Sequence, residues 1–292
     1  MRVRIYARLM LRRRLAIVAI PAAFALAGCA GATTGAVRPP APRQGATVAP
    51  LTHRPAASQR ILAATITHGP RTGNEVALTL DADFSPFALK RVREGRYPKQ
   101  VNSSVLDYLQ RQGIPASIFV TGMWAQQYPA DLARITADPR FEIENHTWNH
   151  DAWASNCYHL PNINNDQDKQ DQIRRTDRLL HDSIGHRPFY FRFPGLCHTS
   201  RDERIVAAEG LQPVGADVDV DDAFVHDPSK TVAAMLAQIK PGSIVILHLN
   251  GAPNAPSTGA ILRQLMPALT ARKLVPVTLS QLLTPQTGPA TA

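Results

Sequence analysis

The sequence predicts an α/β fold in which helices surround a parallel sheet or barrel. From Asn74 onward, short β-branched runs alternate with helical patterns, which is the order that builds parallel βαβ units. Gly113, Gly185, Gly210 and Gly242 stand where the helical patterns end, as expected at helix C-termini. Ionisable residues follow the strand-like runs, and in such folds the chemistry gathers at the carboxyl ends of the strands.

Seven strand-like runs and six helical patterns define the predicted elements. The strands are predicted at 76–80, 116–120, 141–145, 189–193, 213–218, 243–248 and 275–279, where β-branched and aromatic residues are concentrated. The helices are predicted near 102–112, 130–138, 166–184, 201–210, 228–239 and 258–273. In 166–184, Ile173, Leu179, Leu180 and Ile184 mark an apolar face among charged residues, which is typical of an amphipathic helix.

The positive charge of the chain is concentrated at its N-terminus. The 292 residues include 32 Lys and Arg and 23 Asp and Glu, a formal charge of +9. Residues 1–60 hold ten arginines, no lysine and no acidic residue, which leaves 22 basic and 23 acidic residues in 61–292. The body is therefore near neutral and large enough for one sizeable core, and no nucleic-acid partner is expected.

The first 28 residues have the pattern of a secretory signal. Six arginines within 1–14 precede the apolar run 15–27, which is shorter than the roughly 20 residues of a bilayer span. The run Leu26-Ala27-Gly28-Cys29 resembles a bacterial lipobox. This resemblance implies cleavage before Cys29 and lipidation of its thiol, and the alternative is an ordinary signal peptide with a chance cysteine.

Three segments follow from this division of the chain. Residues 1–28 are predicted to be the lipoprotein signal, and the Pro-, Ala- and Thr-rich residues 29–60 an extended tether. Residues 61–292 are predicted to form the folded domain. The lipobox resemblance implies an exported protein that a lipid anchors in a membrane, at the periplasmic face of an outer membrane or at the extracellular surface.

Ionisable residues stand at the ends of five predicted strands: Asp81 and Asp83, then His146 and His150, then Arg192, then the aspartates of 217–222, then His248. The i, i+4 spacing of His146 and His150 predicts a helical turn that places both imidazoles on one face, where they can bind one metal ion. A carboxylate from another strand would complete a site with an open position for water, the arrangement of a catalytic divalent metal.

These residues resemble, in order, the five motifs of the polysaccharide deacetylases of carbohydrate esterase family 4. The correspondences are Thr79-Leu80-Asp81-Ala82-Asp83 with T-F-D-D-G, His146-Thr147-Trp148-Asn149-His150 with H-[ST]-x-x-H, Arg192-Phe193-Pro194 with R-x-P, the acidic stretch 217–222 with the fourth motif, and Leu247-His248 with the fifth. The resemblance covers about residues 73–285. It implies a distorted TIM-like (β/α)7 barrel, with 61–292 as a catalytic domain.

The resemblance also implies a reaction, the metal-assisted hydrolysis of an N-acetyl group on an amino sugar. It implies Asp81 as the general base and Arg192 as the residue that orients this base. It implies His248 as the general acid that protonates the leaving amine. An aspartate of the fourth motif would orient His248, and Asp219 is the expected residue, with Asp222 as the alternative.

One departure from the family concerns the metal. The second Asp of the first motif usually binds it, and Ala82 stands at that position. If the chain stays extended, Asp81 and Asp83 point to the same side, so Asp83 is the expected ligand beside His146 and His150. The expected ion is Zn²⁺, with Co²⁺ or Ni²⁺ as alternatives. The opposing hypotheses are a metal held by two histidines and water, or no metal and no activity.

Four further residues and the substrate complete the expectations. Gly195 and Trp148 are expected on the substrate and oxyanion side of the site. Cys157 and Cys197 follow motifs on the same face, and export would place them in an oxidising compartment, which predicts a disulfide. The implied partner is an N-acetylated glycan such as peptidoglycan, a chitin-like polymer or poly-N-acetylglucosamine. The alternatives are hydrolysis of a non-carbohydrate C–N bond and an inactive glycan-binding lipoprotein.

Overall fold

The structure, a computed structural model, describes residues 61–225 and 227–284. The predicted signal, Cys29 and the predicted tether lie outside the described residues. The strands are β1 (Glu75–Ala82), β2 (Ala116–Val120), β3 (Phe141–Asn145), β4 (Tyr190–Phe191), β5 (Gln212–Pro213), β6 (Ile244–His248) and β7 (Val275–Val277). The helices are α1 (Pro86–Arg93), α2 (Ser103–Gln112), α3 (Gly122–Gln127), α4 (Pro129–Thr136), α5 (Asp166–Ile184), α6 (Ser200–Ala208), α7 (Pro228–Gln238), α8 (Thr258–Ala271) and α9 (Leu279–Leu283).

All pairings between these strands are parallel, and β1 pairs with three of the others, β2, β6 and β7. The strand order is β5-β4-β3-β2-β1-β6, and β7 also pairs with β1. The beginning of β1 lies beside β7 at Glu75 and Val275. Its end lies beside β6, where Asp81 is directly opposite His248. The parallel register therefore brings the ends of β1 and β6 to the same level.

The chain beyond β5 brings the two edges of the sheet together. Val218 forms a parallel bridge with Val245 of β6. The Val218 amide donates to the Ile244 carbonyl at 3.2 Å, and the Ile246 amide donates to the Val218 carbonyl at 3.0 Å. The predicted α/β fold is confirmed, and the sheet curls into a distorted barrel with helices on the outside.

Side chains of β1 alternate between the two sides of the sheet. The even-numbered residues 76–82 belong to the apolar cluster under the outer helices. On the other side, Ala77 packs with Phe119 and Tyr190 in a cluster within the barrel. Thr79 and Asp81 share the side of Ala77, because successive side chains of a strand point to opposite faces.

Most of the predicted strands and helices are present, but two strands are shorter than predicted and three helices were not predicted. The fourth and fifth strands are shorter than predicted, because only two residues of each keep the ladder pattern. Three short helices, α1, α3 and α9, lie where the sequence analysis predicts no helix. Ser85, Thr121 and Thr278 cap these helices, each through a side-chain oxygen that accepts a backbone amide, and such caps stabilise helices too short to show a clear apolar period.

The predicted disulfide joins Cys157 and Cys197, which are 40 residues apart in sequence. It links the loop after the third strand to the loop after the fourth. Closing a loop of this length stabilises the fold by about 4 kcal/mol in the chain-entropy model. Among the residues that the structure describes, no helix combines the length and apolar character needed to cross a membrane.

Candidate active site and metal centre

The ionisable residues of the predicted motifs meet at the carboxyl end of the barrel. Asp81 lies near the end of β1 and Asp83 just after it, while His146 follows β3, Arg192 follows β4, and His248 ends β6. A cavity of about 280 Å³ opens at this end, and both aspartates and His248 line it. The carboxyl ends of parallel strands are the usual position of an active site in such folds.

Asp83, His146 and His150 form a compact group of possible metal ligands. Asp83 Oδ1 lies 3.2 Å from His146 Nε2 and 3.4 Å from His150 Nε2. One ligand atom from each residue falls within 4.8 Å of the others. Two imidazole nitrogens and one carboxylate oxygen are the donor set of a catalytic zinc site, in which a fourth position stays open.

Two atoms of this group need a partner that the described residues do not supply. Asp83 Oδ1 and His146 Nε2 are buried, and neither has a hydrogen-bond partner within residues 61–225 and 227–284. His146 Nδ1 lies 2.9 Å from the Arg192 carbonyl oxygen. Since a carbonyl only accepts, the neutral His146 ring carries its proton on Nδ1 and keeps a lone pair on Nε2. These residues therefore fit a divalent cation.

Ala82 contributes nothing to this group. Its side chain is fully buried in the apolar cluster under the helices. Its carbonyl oxygen accepts hydrogen bonds from the amide and hydroxyl of Thr121, at 3.2 and 3.1 Å. A carboxylate on residue 82 would enter the apolar cluster, whereas the two-residue spacing of Asp81 and Asp83 directs both carboxylates to the site.

The segment 146–150 is a loop, so the helical turn that the i, i+4 spacing predicts is wrong. Thr147 and His150 have φ values of 67° and 62°, in the left-handed region that non-glycine residues rarely adopt. The Thr147 amide donates to Asn145 Oδ1 at 2.9 Å, and the His150 amide donates to Thr147 Oγ1 at 3.2 Å. This tight loop still brings the rings of His146 and His150 to a centroid distance of 5.0 Å.

Asp81 is held by a buried ion pair with Arg192. Arg192 Nη1 donates to Asp81 Oδ1 at 2.6 Å and to Thr79 Oγ1 at 2.9 Å. The guanidinium lies over the Phe119 ring, 4.0 Å from its centroid, and is fully buried. Arg192 therefore holds the carboxylate of Asp81 in one orientation. Removing one partner of a buried ion pair typically costs about 3–5 kcal/mol of folding stability.

His248 is oriented by Asp222, so the expectation that Asp219 does this is wrong. His248 Nδ1 lies 2.6 Å from Asp222 Oδ1, and Asp222 Oδ2 accepts from the His248 amide at 3.1 Å and from Thr258 Oγ1 at 2.9 Å. The chain turns at Asp221, where φ is 52°, and this turn directs Asp222 inward. Asp219 is exposed and lines the cavity instead.

A family model described as polysaccharide deacetylase matches residues 68–214, which is half of the chain. The chain belongs to this family. The match contains Asp81, Asp83, His146, His150 and Arg192 and ends before the stretch that supplies Asp222 and His248. The structure adds these last two residues to the same site.

Curated relatives of the chain include deacetylases of two kinds. A chitooligosaccharide deacetylase of Bradyrhizobium sp. (strain ANU 289) is 28% identical over 174 residues, covering 59% of this chain and 69% of the relative. The peptidoglycan-N-acetylglucosamine deacetylase PgdA of Listeria monocytogenes is 24% identical over 178 residues, covering 61% of this chain and 33% of the relative.

Solved structures of the family share the fold. A structure described as T48 deacetylase with substrate has a TM-score of 0.55 and 28% identity, covering 72% of this chain and 91% of that chain. The protein BA3943 of Bacillus anthracis, described as a CE4 family pseudoenzyme, has a TM-score of 0.61 and 19% identity, covering 76% of this chain and 69% of that chain. The second likeness shows the fold alone.

In this member of the family, Gly195 and Trp148 lie in different surroundings. Gly195 lines the cavity with φ at 58°, and a Cβ atom there would lie 2.6 Å from Cys157 Sγ. Its part in binding an oxyanion stays a prediction. The expectation for Trp148 is wrong, because its ring packs against Gly122 and under the Arg175 guanidinium, 3.5 Å away, and does not line the cavity.

The site gives its ionisable groups different pKa values. Burial acts to raise the pKa of Asp83, but His150, His146 and His248 outweigh it and hold this pKa well below its usual range. Burial lowers the pKa of His150 to about 4, although Asp83 opposes the shift. Burial also acts to lower the pKa of His248, but Asp222 and the carboxylates of Asp83 and Asp81 raise it to about 10. His150 is therefore neutral near pH 7, and His248 is charged.

Two residues that hold the site, Thr258 and Asn250, were not predicted from the sequence. Thr258 begins α8 and donates to Asp222. Asn250 contacts the backbone of Asp83 through its side chain. The sequence contains a pattern that could have indicated Asn250. Asn250 follows His248 by two residues, as Asp83 follows Asp81, and the strands β6 and β1 that precede them are parallel neighbours.

Replacing Asp222 should lower the pKa of His248. In Asp222→Asn the negative charge that does most to raise this pKa is lost, so the imidazolium should lose its proton at a lower pH than in the parent protein. NMR titration of the His248 ring in metal-free protein measures the shift. In the matched variant Asp219→Asn the titration should change less, and a larger shift there than in Asp222→Asn would contradict the assignment.

Replacing Asp83 should weaken the binding of a divalent cation by this group of residues, and added Zn²⁺ is the probe. Asp83→Asn leaves two histidines without a charged oxygen ligand, so the zinc retained after desalting should fall well below one ion per chain. Moving the carboxylate, in Ala82→Asp/Asp83→Ala, should not restore it, because residue 82 faces the apolar cluster. Elemental analysis by mass spectrometry measures the content, with the exposed Asp182→Asn as control. Unchanged zinc in Asp83→Asn would contradict the ligand assignment.

Proposed function

We propose that the protein is a metal-dependent hydrolase that removes acetyl groups from an N-acetylated amino-sugar polymer. One observation carries the proposal: a carboxylate base, a donor set for a divalent cation and a charged histidine converge on one cavity. Membership of the polysaccharide deacetylase family supports the reaction. The relatives named as chitooligosaccharide and peptidoglycan-N-acetylglucosamine deacetylases support the class of substrate.

The attack on the acetyl group depends on Asp81. A divalent cation held by Asp83, His146 and His150 would supply Lewis-acid polarisation of the water and the acetyl carbonyl. Asp81 removes a proton from the water as the water oxygen attacks the acetyl carbon. Arg192 binds Oδ1 of Asp81, so Oδ2 is the oxygen that is left to accept the proton.

The departure of the amine depends on His248. Its Nε2 lies 3.6 Å from Asp83 Oδ2, so the proton donor stands beside the metal ligands. His248 gives its proton to the nitrogen as the C–N bond breaks, and the products are acetate and a free amine. Asp222 accepts a hydrogen bond from Nδ1 of the same ring, which orients the ring and directs Nε2 into the cavity.

The N-terminal pattern supports a place in the cell envelope. The arginine-rich start, the apolar run and Cys29 favour an exported lipoprotein, tethered by residues 29–60. We propose that such a protein acts on peptidoglycan, a chitin-like polymer or poly-N-acetylglucosamine at a membrane surface. The nitrogen-rich ligand set favours Zn²⁺, with Co²⁺ or Ni²⁺ as alternatives.

An inactive glycan-binding protein is the second candidate, and Ala82 at the family's usual metal position favours it. BA3943, which has a similar fold, is described as a CE4 family pseudoenzyme. Against it stand the buried pair of Asp81 with Arg192 and that of His248 with Asp222. A site that only binds a glycan needs neither a proton acceptor nor a proton donor.

The proposed activity predicts acetate release from N-acetylglucosamine oligomers. Release should stop after chelation and return when Zn²⁺ or Co²⁺ is added. Asp81→Asn should lower kcat by about 10²–10⁴-fold, since it removes the general base. Enzymatic determination of acetate measures both effects, and the surface variant Asp182→Asn should release acetate at the parent rate.

Two outcomes would favour one of the alternative functions, and a third tests the role of Asp81. Acetate released only from small amides would favour hydrolysis of a non-carbohydrate C–N bond. Binding of oligomers without any acetate release or bound metal would favour the inactive protein. Undiminished release by Asp81→Asn would contradict the role of the base.

A further inference from the structure

Asp83 lies beyond the end of a strand, yet its carboxylate must be held in place to bind a metal. The sheet ladder of β1 ends at Ala82, and no backbone group of residues 61–225 and 227–284 forms a hydrogen bond with the backbone of Asp83. A functional ligand needs its position fixed to within about 0.5 Å. We propose that Asn250 is the positioning residue that fixes Asp83 and thereby sets the affinity of the site for a divalent cation. The inference rests on the proposed metal site.

The side chain of Asn250 replaces the missing strand neighbour. Asn250 Oδ1 accepts a hydrogen bond from the Asp83 amide at 3.1 Å, and Asn250 Nδ2 donates to the Asp83 carbonyl at 2.5 Å. One carboxamide thus satisfies both backbone groups of the ligand residue. Asn250 is 1% exposed, so water cannot readily take over these bonds.

The register of the sheet explains why Asn250 stands at this place. Asp81 is opposite His248, and the Leu249 amide donates to the Asp81 carbonyl at 2.8 Å as the last backbone rung. Two residues further on, Asp83 and Asn250 are at the same level. The backbone ladder has ended here, and the Asn250 side chain continues it.

Asn250 is itself held by a rigid loop. The Leu249 carbonyl accepts from the Asn102 amide at 2.7 Å, and the Ala255 amide donates to the Gly251 carbonyl at 2.7 Å. Gln100 Nε2 donates to the Ala252 carbonyl at 2.8 Å. These bonds fix the backbone on both sides of Asn250, so its side chain has a fixed origin.

The opposite side of the same segment is also fixed. Thr121 binds the Ala82 carbonyl with its amide and hydroxyl. The Ala82–Asp83 peptide unit is therefore held at its carbonyl by Thr121 after β2 and at its amide by Asn250 after β6, and Asn250 also holds the carbonyl of the next peptide unit. Asn250 does not line the cavity, so it acts on the cation through Asp83 and not by touching substrate.

A purely structural role for Asn250 predicts a different result from a positioning role. Leaving two buried backbone groups without partners destabilises the folded protein, and either role predicts this loss of stability. Only positioning predicts weaker metal binding by the folded protein. Loss of residues that orient metal ligands typically lowers affinity by about 10–100-fold.

The test compares Asn250→Ala and Asn250→Asp with the parent full-length chain. Zn²⁺ is titrated into chelator-treated protein against a chromophoric competitor, and the visible absorption of the Co²⁺-loaded protein reports ligand geometry. Asn250→Ala should bind Zn²⁺ about 10–100-fold more weakly and show an altered Co²⁺ spectrum. Asn250→Asp keeps the acceptor but loses the donor. Its added negative charge would favour a cation, so weaker binding by this variant points to lost positioning.

Gln212→Ala is the matched control. The Gln212 carboxamide is also buried and bridges backbone groups, accepting from the Leu62 amide at 2.7 Å and donating to the Ala64 carbonyl at 3.0 Å. It stands at the start of β5, and neither Gln212 nor these two partners line the cavity. This variant should lose thermal stability and bind Zn²⁺ as the parent does.

Failure of the inference is distinguishable from failure of the proposed function. Parent-like Zn²⁺ affinity and an unchanged Co²⁺ spectrum in folded Asn250→Asp or Asn250→Ala would overturn the positioning role and leave the metal site intact. Equal weakening in Gln212→Ala would overturn it too, because general destabilisation would then explain the effect. A parent protein that binds no Zn²⁺ would overturn the proposed metal site and the inference together.

Discussion

Side chains along β1 point alternately into the barrel and outward to the helices, and the candidate site depends on this alternation. It brings Asp81 and Asp83 to the same side, while Ala82 enters the apolar cluster between them. Asp81, the proposed base, and Asp83, the proposed metal ligand, can therefore act on the same substrate group although they are not adjacent in sequence. The contacts of Thr121 and Asn250 keep this spacing where the ladder of β1 ends.

Burial and neighbouring charges give the three histidines of the site different pKa values. His146 and His150 face the carboxylate of Asp83. Burial lowers the pKa of His150 to about 4, whereas the pKa of His146 is raised, because Asp81 and Asp83 outweigh its burial. His248 lies against Asp222, and its pKa of about 10 keeps it charged. Environments that push the pKa values of neighbouring groups apart are what assign acid, base and ligand roles in hydrolases.

The sequence predicted the α/β fold and placed the motifs at the carboxyl ends of its strands. Local sequence patterns were enough to predict the parallel order of the strands and the ends of the helices. They also predicted the positions of Asp81, His146, Arg192 and His248. α1 and α3 escaped prediction because helices of six to eight residues show too few turns to establish an apolar period.

The errors at the site arose where tertiary contacts decide the backbone. The loop 146–150 has left-handed residues that sequence spacing alone does not reveal. The choice of Asp222 over Asp219 depends on the turn at Asp221, and the burial of Trp148 depends on its packing against Gly122. The contact of Asn250 with Asp83 depends on the register of two strands that are distant in the chain.

We propose that Asp83 takes the place of a carboxylate at residue 82 as the metal ligand. A crystal structure of the zinc-loaded protein, with anomalous scattering recorded at the zinc edge, tests it most directly. We expect one anomalous peak at about 2.0–2.2 Å from an Asp83 carboxylate oxygen and from Nε2 of His146 and His150. A peak bound by the two histidines without Asp83, or no peak at this site, would contradict it.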